Sequence, residues 1–148
     1  MELKFKIKRF EALSAAELYQ ILQLRSEVFV VEQNCVYQDI DGKDDVALHL
    51  FGEIDGKIVA YARLFDKGIS YEETSIGRVV VAQNVRANKF GHDLIREAIN
   101  VISDEFGQTE IAISAQLYLK KFYESHGFVS EGEEYLEDDI PHIHMKRA

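Results

Sequence analysis

Val79-Val80-Val81-Ala82-Gln83-Asn84-Val85-Arg86-Ala87-Asn88-Lys89-Phe90-Gly91-His92 is the stretch on which the architecture of this 148-residue chain turns. The apolar, β-branched run Ile76 to Val81 reads as a strand buried on both faces, and it leaves into a polar turn. Then the period changes. From Lys89 to Phe106 the residues Leu94, Ile95, Ala98, Ile99, Ile102 and Phe106 fall on one helical face, and Gly107 stands at the C′ position. Ile111 to Ser114 reads as a second buried strand. Strand, helix and strand in that order imply a right-handed parallel crossover, which places the chain in the α/β class.

Working outward, Leu48 to Glu53 and Lys57 to Leu64 flank Asp55-Gly56, a pair suited to the positive φ angles of a two-residue hairpin turn. Leu3 to Phe10 alternates strictly, as a half-buried strand does. Ser14 and Glu17 have capping-box spacing and open a helix with the stripe Leu18, Ile21, Leu22, Arg25, Val28 and Phe29. Arg25, the one charge on that stripe, is expected to snorkel at its rim rather than sit in a buried ion pair. Downstream, Leu117 to His126 reads as a short helix closed by Gly127, the basis of a second parallel crossover. Phe128 to Glu137 and His142 to Lys146 read as a strand pair with Pro141 between them. The predicted order is β-α-β-β-β-α-β-α-β-β, with the first three strands antiparallel neighbours.

Composition narrows the function. Residues 1–148 suit a single domain, 47% of them are hydrophobic and 29% charged, and the formal net charge is -9. A field of that sign repels phosphate backbones, so nucleic-acid binding is not expected. No apolar run approaches the ~20 residues that span a bilayer, which argues against a membrane partner. Cys35 is the single cysteine, and with no cationic leader segment a cytoplasmic location is expected. Between Val31 and Asp45 periodicity is lost and Glu32, Asp39, Asp41, Asp44 and Asp45 accumulate. Counted from Asp39, Lys43 and Asp44 stand at the fifth and sixth positions, where an EF-hand needs a ligand and a glycine, so calcium binding is rejected. The loop reads as a solvated face, although loops of this length are often functional.

The turn entering the helix at Lys89 can do chemistry through its main chain. A helix N-terminus has unpaired N–H groups and partial positive charge, so this turn suits a diphosphate, assisted by Arg86 and Lys89. Basic pairs at helix starts also occur without a ligand, and the residues alone leave both readings open. Neither G-x-x-x-x-G-K-[ST] nor G-x-G-x-x-G occurs, which excludes the P-loop and Rossmann turns.

Arg86-Ala87-Asn88-Lys89-Phe90-Gly91 resembles the [Q/R]-x-x-G-x-[G/A] pyrophosphate loop of the GNAT N-acetyltransferase superfamily, and it follows a valine strand as that loop does. Gln116-Leu117-Tyr118-Leu119-Lys120-Lys121-Phe122-Tyr123-Glu124-Ser125-His126-Gly127-Phe128 is similar to the superfamily's N-x-x-A-x-x-x-Y-x-x-x-G-F signature, matching at Tyr123, Gly127 and Phe128. Leu24 to Asn34, Tyr37 to Asp41 and Ile140 to Ile143 resemble its ElaA-like branch, so the likeness covers nearly the whole chain. Lys89 departs from the usual glycine or alanine, Gln116 from asparagine and Leu119 from alanine.

The resemblance implies a GNAT acyl-CoA transferase fold, with a mixed sheet of six to seven strands, a central splay and about four flanking helices. It implies acetyl-CoA as cosubstrate, with pantetheine paired along Val79, Val80 and Val81. The diphosphate would lie on Arg86, Ala87, Asn88, Lys89, Phe90, Gly91 and His92, with Gln116 and Phe122 completing that site. A strand amide such as that of Val80 would steady the oxyanion, and Tyr123 would protonate the leaving thiolate; by helical spacing alone Tyr123 packs. Candidates for the general base are Glu32, His49, His142 and His144, of which Glu32 and His142 are chosen. No metal is expected, since His142 and His144 lack a third ligand. The expected acceptor is a primary amine, on a small molecule, a polyamine or a lysine, and the acid-rich loop suggests that it is cationic. The competing expectation is a non-catalytic acyl-CoA-binding or protein-interaction module on the same fold. Exposed edges at the final strand pair are compatible with a monomer or a homodimer.

Overall fold

A computed structural model describes residues 2–148, with strands β1 (Lys4–Arg9), β2 (Leu48–Ile54), β3 (Lys57–Phe65), β4 (Thr74–Val81), β5 (Ile111–Gln116), β6 (Val129–Glu137) and β7 (Ile140–Arg147). They form one mixed sheet in the order β1-β2-β3-β4-β5-β7-β6. Helices α1 (Ala15–Arg25), α2 (Phe90–Val101) and α3 (Lys120–Glu124) connect them, and a 3-10 turn at Gln83–Asn88 adds a fourth helical segment beside the sheet. As expected, β1 to β3 are antiparallel neighbours, and β4 and β5 are parallel. Asp55 and Gly56 take φ of 50° and 79°, the geometry of the tight hairpin turn. The second crossover differs in one respect. β7 is inserted antiparallel between β5 and β6, so β5 and β6 run the same way without touching.

The two faces of the sheet are covered by different helices. Leu94, Ile95, Ala98, Val101 and Ile102 of α2 pack on Leu50, Ala62, Leu64, Ile111 and Ile113, together with Tyr123 and Phe128 from the α3 end. On the other face Ile21, Leu24 and Val28 pack on Phe51, Tyr61 and Val80. The capping box at α1 is formed, with the Glu17 amide donating to Ser14 Oγ at 3.0 Å and the Ser14 amide to the Glu17 carboxylate at 2.9 Å.

The first helix ends near Val31, where periodicity is lost, and its last turn over Ser26–Glu32 is π-helical, because Gln33 and Cys35 bond back five residues to Val28 and Val30. Two expectations need correction. The last hairpin turns at Asp138-Asp139, with φ of 51° and 62°, and Pro141 lies within β7 opposite Leu136. Aspartate tolerates this left-handed region better than most residues, so a turn forms without glycine. Finally, Arg25 is wholly buried rather than a rim residue. Its Nε meets Asp39 at 2.9 Å and its Nη1 meets Asp44 at 2.8 Å.

Candidate active site

The site is made by a defect in the sheet. β4 and β5 pair only through Thr74 with Ile111 and Ser75 with Ala112, and then diverge. From Ile76 to Val81 the β5-facing edge of β4 has no strand partner, so the sheet opens into a cavity of about 1140 Å³. A bulge adjoins the opening. Tyr61 is opposite Val80 and Arg63 opposite Gly77, which leaves Arg78 and Val79 facing Ala62 alone, and Arg78 takes φ of 50°.

The register decides which main-chain groups point into the opening. The Ala82 amide donates to the Val59 carbonyl at 2.8 Å, and alternation then turns the Val80 amide toward Tyr61 and the Val81 groups away from β3. This corrects the choice of Val80 as a free amide. Val80 also sends its side chain into the α1-side core, while Val81 offers its carbonyl to Arg86 Nε at 3.1 Å.

Val79, Val80, Val81, Arg86, Lys89, Gly91, His92, Gln116, Phe122 and Tyr123 all line the cavity, together with Glu32 and His142. Ala87, Asn88 and Phe90 do not. Phe90 is buried against Val59 and Val85, so any part it plays in ligand binding falls to its main chain. Lys89, expected to begin the helix, is instead its N-cap in the left-handed region, at φ 59°. That conformation suits glycine, the residue of the motif at this position, because glycine has no Cβ.

Tyr123 is buried at the foot of the cavity, edge-on to Phe122 and Phe128, and its phenol makes no hydrogen bond among the described residues. Burial pushes its pKa well above the usual phenol range, so it stays protonated. Of the expected bases, Glu32 is occupied. Both of its oxygens accept from Arg86, at 2.5 and 2.9 Å, which makes it a partner of the cation rather than a free proton acceptor. His49 lies outside the cavity, bonded to Tyr61 and to the Asp44 carbonyl. His144 packs against Tyr71 with the rings tilted and does not line the cavity. His142 does line it, with Nδ1 2.6 Å from the Ile140 carbonyl. Among the described residues no group of three or more His, Cys, Asp or Glu side chains is placed to hold a metal ion.

Sequence reasoning missed the partners of the acidic loop. Asp39, Asp41 and Asp44 are tied to Arg25, Arg63 and Arg78 in a continuous network, so most of that loop's charge is neutralised. The solvated-face reading therefore fails for these acids, and the loop's charge no longer argues for a cationic acceptor. Burial alone would raise the Asp44 carboxyl, but the bonds from Arg25 and Arg63 hold it below its usual range. The segment that follows the π-helical turn also spans the opening. Gln33 and Gln116 pair through their side-chain amides at 3.3 and 3.4 Å, and Cys35 Sγ donates to the Asp138 carbonyl at 3.4 Å. Also missed was Glu137, which faces His142 across the last hairpin. The available signal was hairpin register, obscured by placing the turn at Pro141.

Comparison with known proteins agrees with this geometry. The family model of an acetyltransferase (GNAT) domain matches residues 12–148. Protein ElaA of Escherichia coli strain K12 is 42% identical over 137 residues, which cover 91% of this chain and 90% of that protein. The crystal structure of an acyl-CoA N-acyltransferase from Pseudomonas aeruginosa superposes with a TM-score of 0.94 at 44% identity, over 99% of this chain and 100% of that one. For the crystal structure of Escherichia coli ElaA the TM-score is 0.92 at 38% identity, with the same coverage. No helix among the described residues is long and apolar enough to cross a membrane. The split sheet, the valine strand and the turn into α2 are thus those of an acyl-CoA-dependent acetyltransferase, and the chain belongs to the GNAT family, in its ElaA-like branch.

Proposed function

We propose that this enzyme transfers the acetyl group of acetyl-CoA to a primary amine by direct attack within a ternary complex. The observation that carries the reading is the cavity, which unites the unpaired edge of β4, the cations Arg86 and Lys89, the buried phenol of Tyr123 and the imidazole of His142. The main-chain groups of Val79 and Val81 suit an extended pantetheine, which pairs with a strand edge as a further strand would. Lys89 suits the diphosphate, with Gly91 and His92 at the helix start and Arg86 held beside them by Glu32 and the Val81 carbonyl, while Gln116 and Phe122 form the opposite wall.

Acetyl-CoA supplies an activated thioester: the amine nitrogen bonds to its carbonyl carbon as the carbon–sulfur bond breaks. His142 takes the proton that the ammonium must lose, through Nε2, because Nδ1 is committed to the Ile140 carbonyl. Tyr123 gives its proton to the departing sulfur. Its raised pKa makes it a donor by position, available because it never ionises near neutrality. Amine and thioester are held together by the walls of one cavity, and proximity supplies much of the acceleration.

Calorimetry with acetyl-CoA and thiol release with an amine panel test this reading. Tyr123→Phe is expected to keep coenzyme affinity while kcat falls by about 10²-fold. Equal kcat values would remove the acid role from Tyr123, and a wild-type protein that shows no binding of acetyl-CoA would remove the reading itself.

A further inference from the structure

Resting on the amine-acceptor reading above, we infer that Glu137 selects a positively charged acceptor and holds its ammonium against His142. Register brings the pair together. Tyr135 is opposite His142 and Glu137 opposite Ile140, so Tyr135, Glu137 and His142 share one face of the last hairpin. Gln116 and Ser114 of β5 extend that face, since Gln116 is opposite His142 and Ser114 opposite His144. Glu137, His142, Ser114 and Gln116 all line the cavity.

A carbonyl oxygen only accepts hydrogen bonds, so the 2.6 Å contact with Ile140 requires the proton on Nδ1 of His142. In the neutral ring Nε2 then carries a lone pair. It faces Glu137 Oε2 at 3.5 Å, and a carboxylate oxygen is also an acceptor. Two acceptors so placed are bridged by a shared proton donor, either solvent water, which reaches the half-exposed Glu137, or the ammonium of a bound acceptor. An ammonium group has three N–H bonds and can donate to both while its third hydrogen remains free. After His142 removes one proton, the resulting imidazolium finds Glu137 already beside it. The same contact serves the loaded state and the state that follows proton transfer.

Glu137 is prepared for this role. Its Oε1 accepts from Ser114 Oγ at 3.1 Å, and that hydroxyl is 2.5 Å from the hydroxyl of Tyr135. The Tyr135 ring lies parallel to His142 at 6.1 Å, with 21° between planes. One carboxylate oxygen is thus anchored and the other is left for the acceptor. The other cavity-lining carboxylates differ: Glu32 is bound to Arg86 and Asp41 to Arg63, whereas Asp138 occupies the hairpin turn. Negative charge that an acceptor can use is therefore concentrated at the β6–β7 end, not on the acid-rich loop.

The test uses the full chain, acetyl-CoA and two acceptor classes at neutral pH: alkylammonium ions, and aniline, which is uncharged there. Glu137→Gln keeps the side chain's shape and its bond to Ser114. It is expected to raise KM for the alkylammonium acceptors about 10- to 100-fold and to leave KM for acetyl-CoA unchanged, while aniline loses only the smaller share of kcat that comes from Glu137 facing the imidazolium. Glu137→Asp should recover part of the loss. Equal losses with both acceptor classes, no loss with either, or a wild type that prefers aniline would each overturn the assignment. Calorimetry separates the two levels: failure of wild type to bind acetyl-CoA sinks the amine-transferase reading, whereas normal binding and turnover with an indifferent Glu137→Gln sinks only the role of Glu137.

Discussion

At Lys89 the main chain holds φ of 59° and ψ of 29°, and its amide donates to the Arg86 carbonyl at 3.1 Å. A side chain with Cβ pays about 1–2 kcal/mol in this region, while glycine there loses more backbone freedom on folding. The two effects oppose each other, and the conformational one is larger. Lys89→Gly is therefore expected to stabilise the fold by about 0.5–1 kcal/mol, read from the midpoint of urea unfolding. A lower midpoint would mean that the lysine side chain makes compensating contacts. The same substitution removes one cation from the cavity rim, so a modest loss of coenzyme affinity should accompany the gain. Lysine thus trades backbone ease for charge at the point where an anion would lie.

The long connection between the π-helical turn and β2 owes its shape to ion pairs. Arg25 Nη2 and Arg78 Nη2 both donate to the Asp39 carbonyl, at 3.1 and 3.0 Å, while Arg63 binds Asp41 through two nitrogens, at 2.9 and 2.8 Å. Arg78 belongs to the β4 bulge, so the loop and the strand that borders the cavity share one network. Removing one member strands buried charge. Arg25→Met is expected to cost about 3–5 kcal/mol in denaturant unfolding and to open residues 33–43 to limited proteolysis. Stability within about 1 kcal/mol of wild type would show that Arg63 and Arg78 neutralise the aspartates unaided. This network also marks where sequence reading stops. Alternation and helical period are local, and they located β1 to β5, α1 and α2 from Leu3, Leu94 or Ile111 without tertiary knowledge. The pairing of Arg25 with Asp39 spans 14 residues, and that of Arg78 with Asp39 spans 39. No periodicity encodes such contacts. At the site, Tyr123 and Arg86 were legible through motif spacing. Glu137 was not, because its meaning depends on a turn formed by two left-handed aspartates rather than by glycine or proline.

Across the whole molecule, acid is expected to weaken the fold in two stages. Burial pushes His49 below its ordinary value of 6.5, and burial followed by the neighbouring His92 does the same to His126. The unfolded chain then binds more protons than the native one, so stability present above about 6.5 is lost as pH falls through that region. A second loss follows as pH drops through the carboxylate range, where Asp41 and Asp44 are held below 3.8. Scanning calorimetry should show Tm falling from pH 7 to pH 5 and again below pH 4. A flat or rising Tm over the first interval would contradict the assignment of His49 and His126 as neutral in the fold. The divergence of β4 from β5 has one more consequence. Unsatisfied strand edges on a protein's perimeter invite other polypeptides to add on and drive self-association. Here the exposed backbone lies at the bottom of a wedge between two strands of the same sheet. Something as slender as a single extended chain can reach it, and a folded neighbour cannot. The molecule can thus keep adhesive main chain in permanent readiness without precipitating itself.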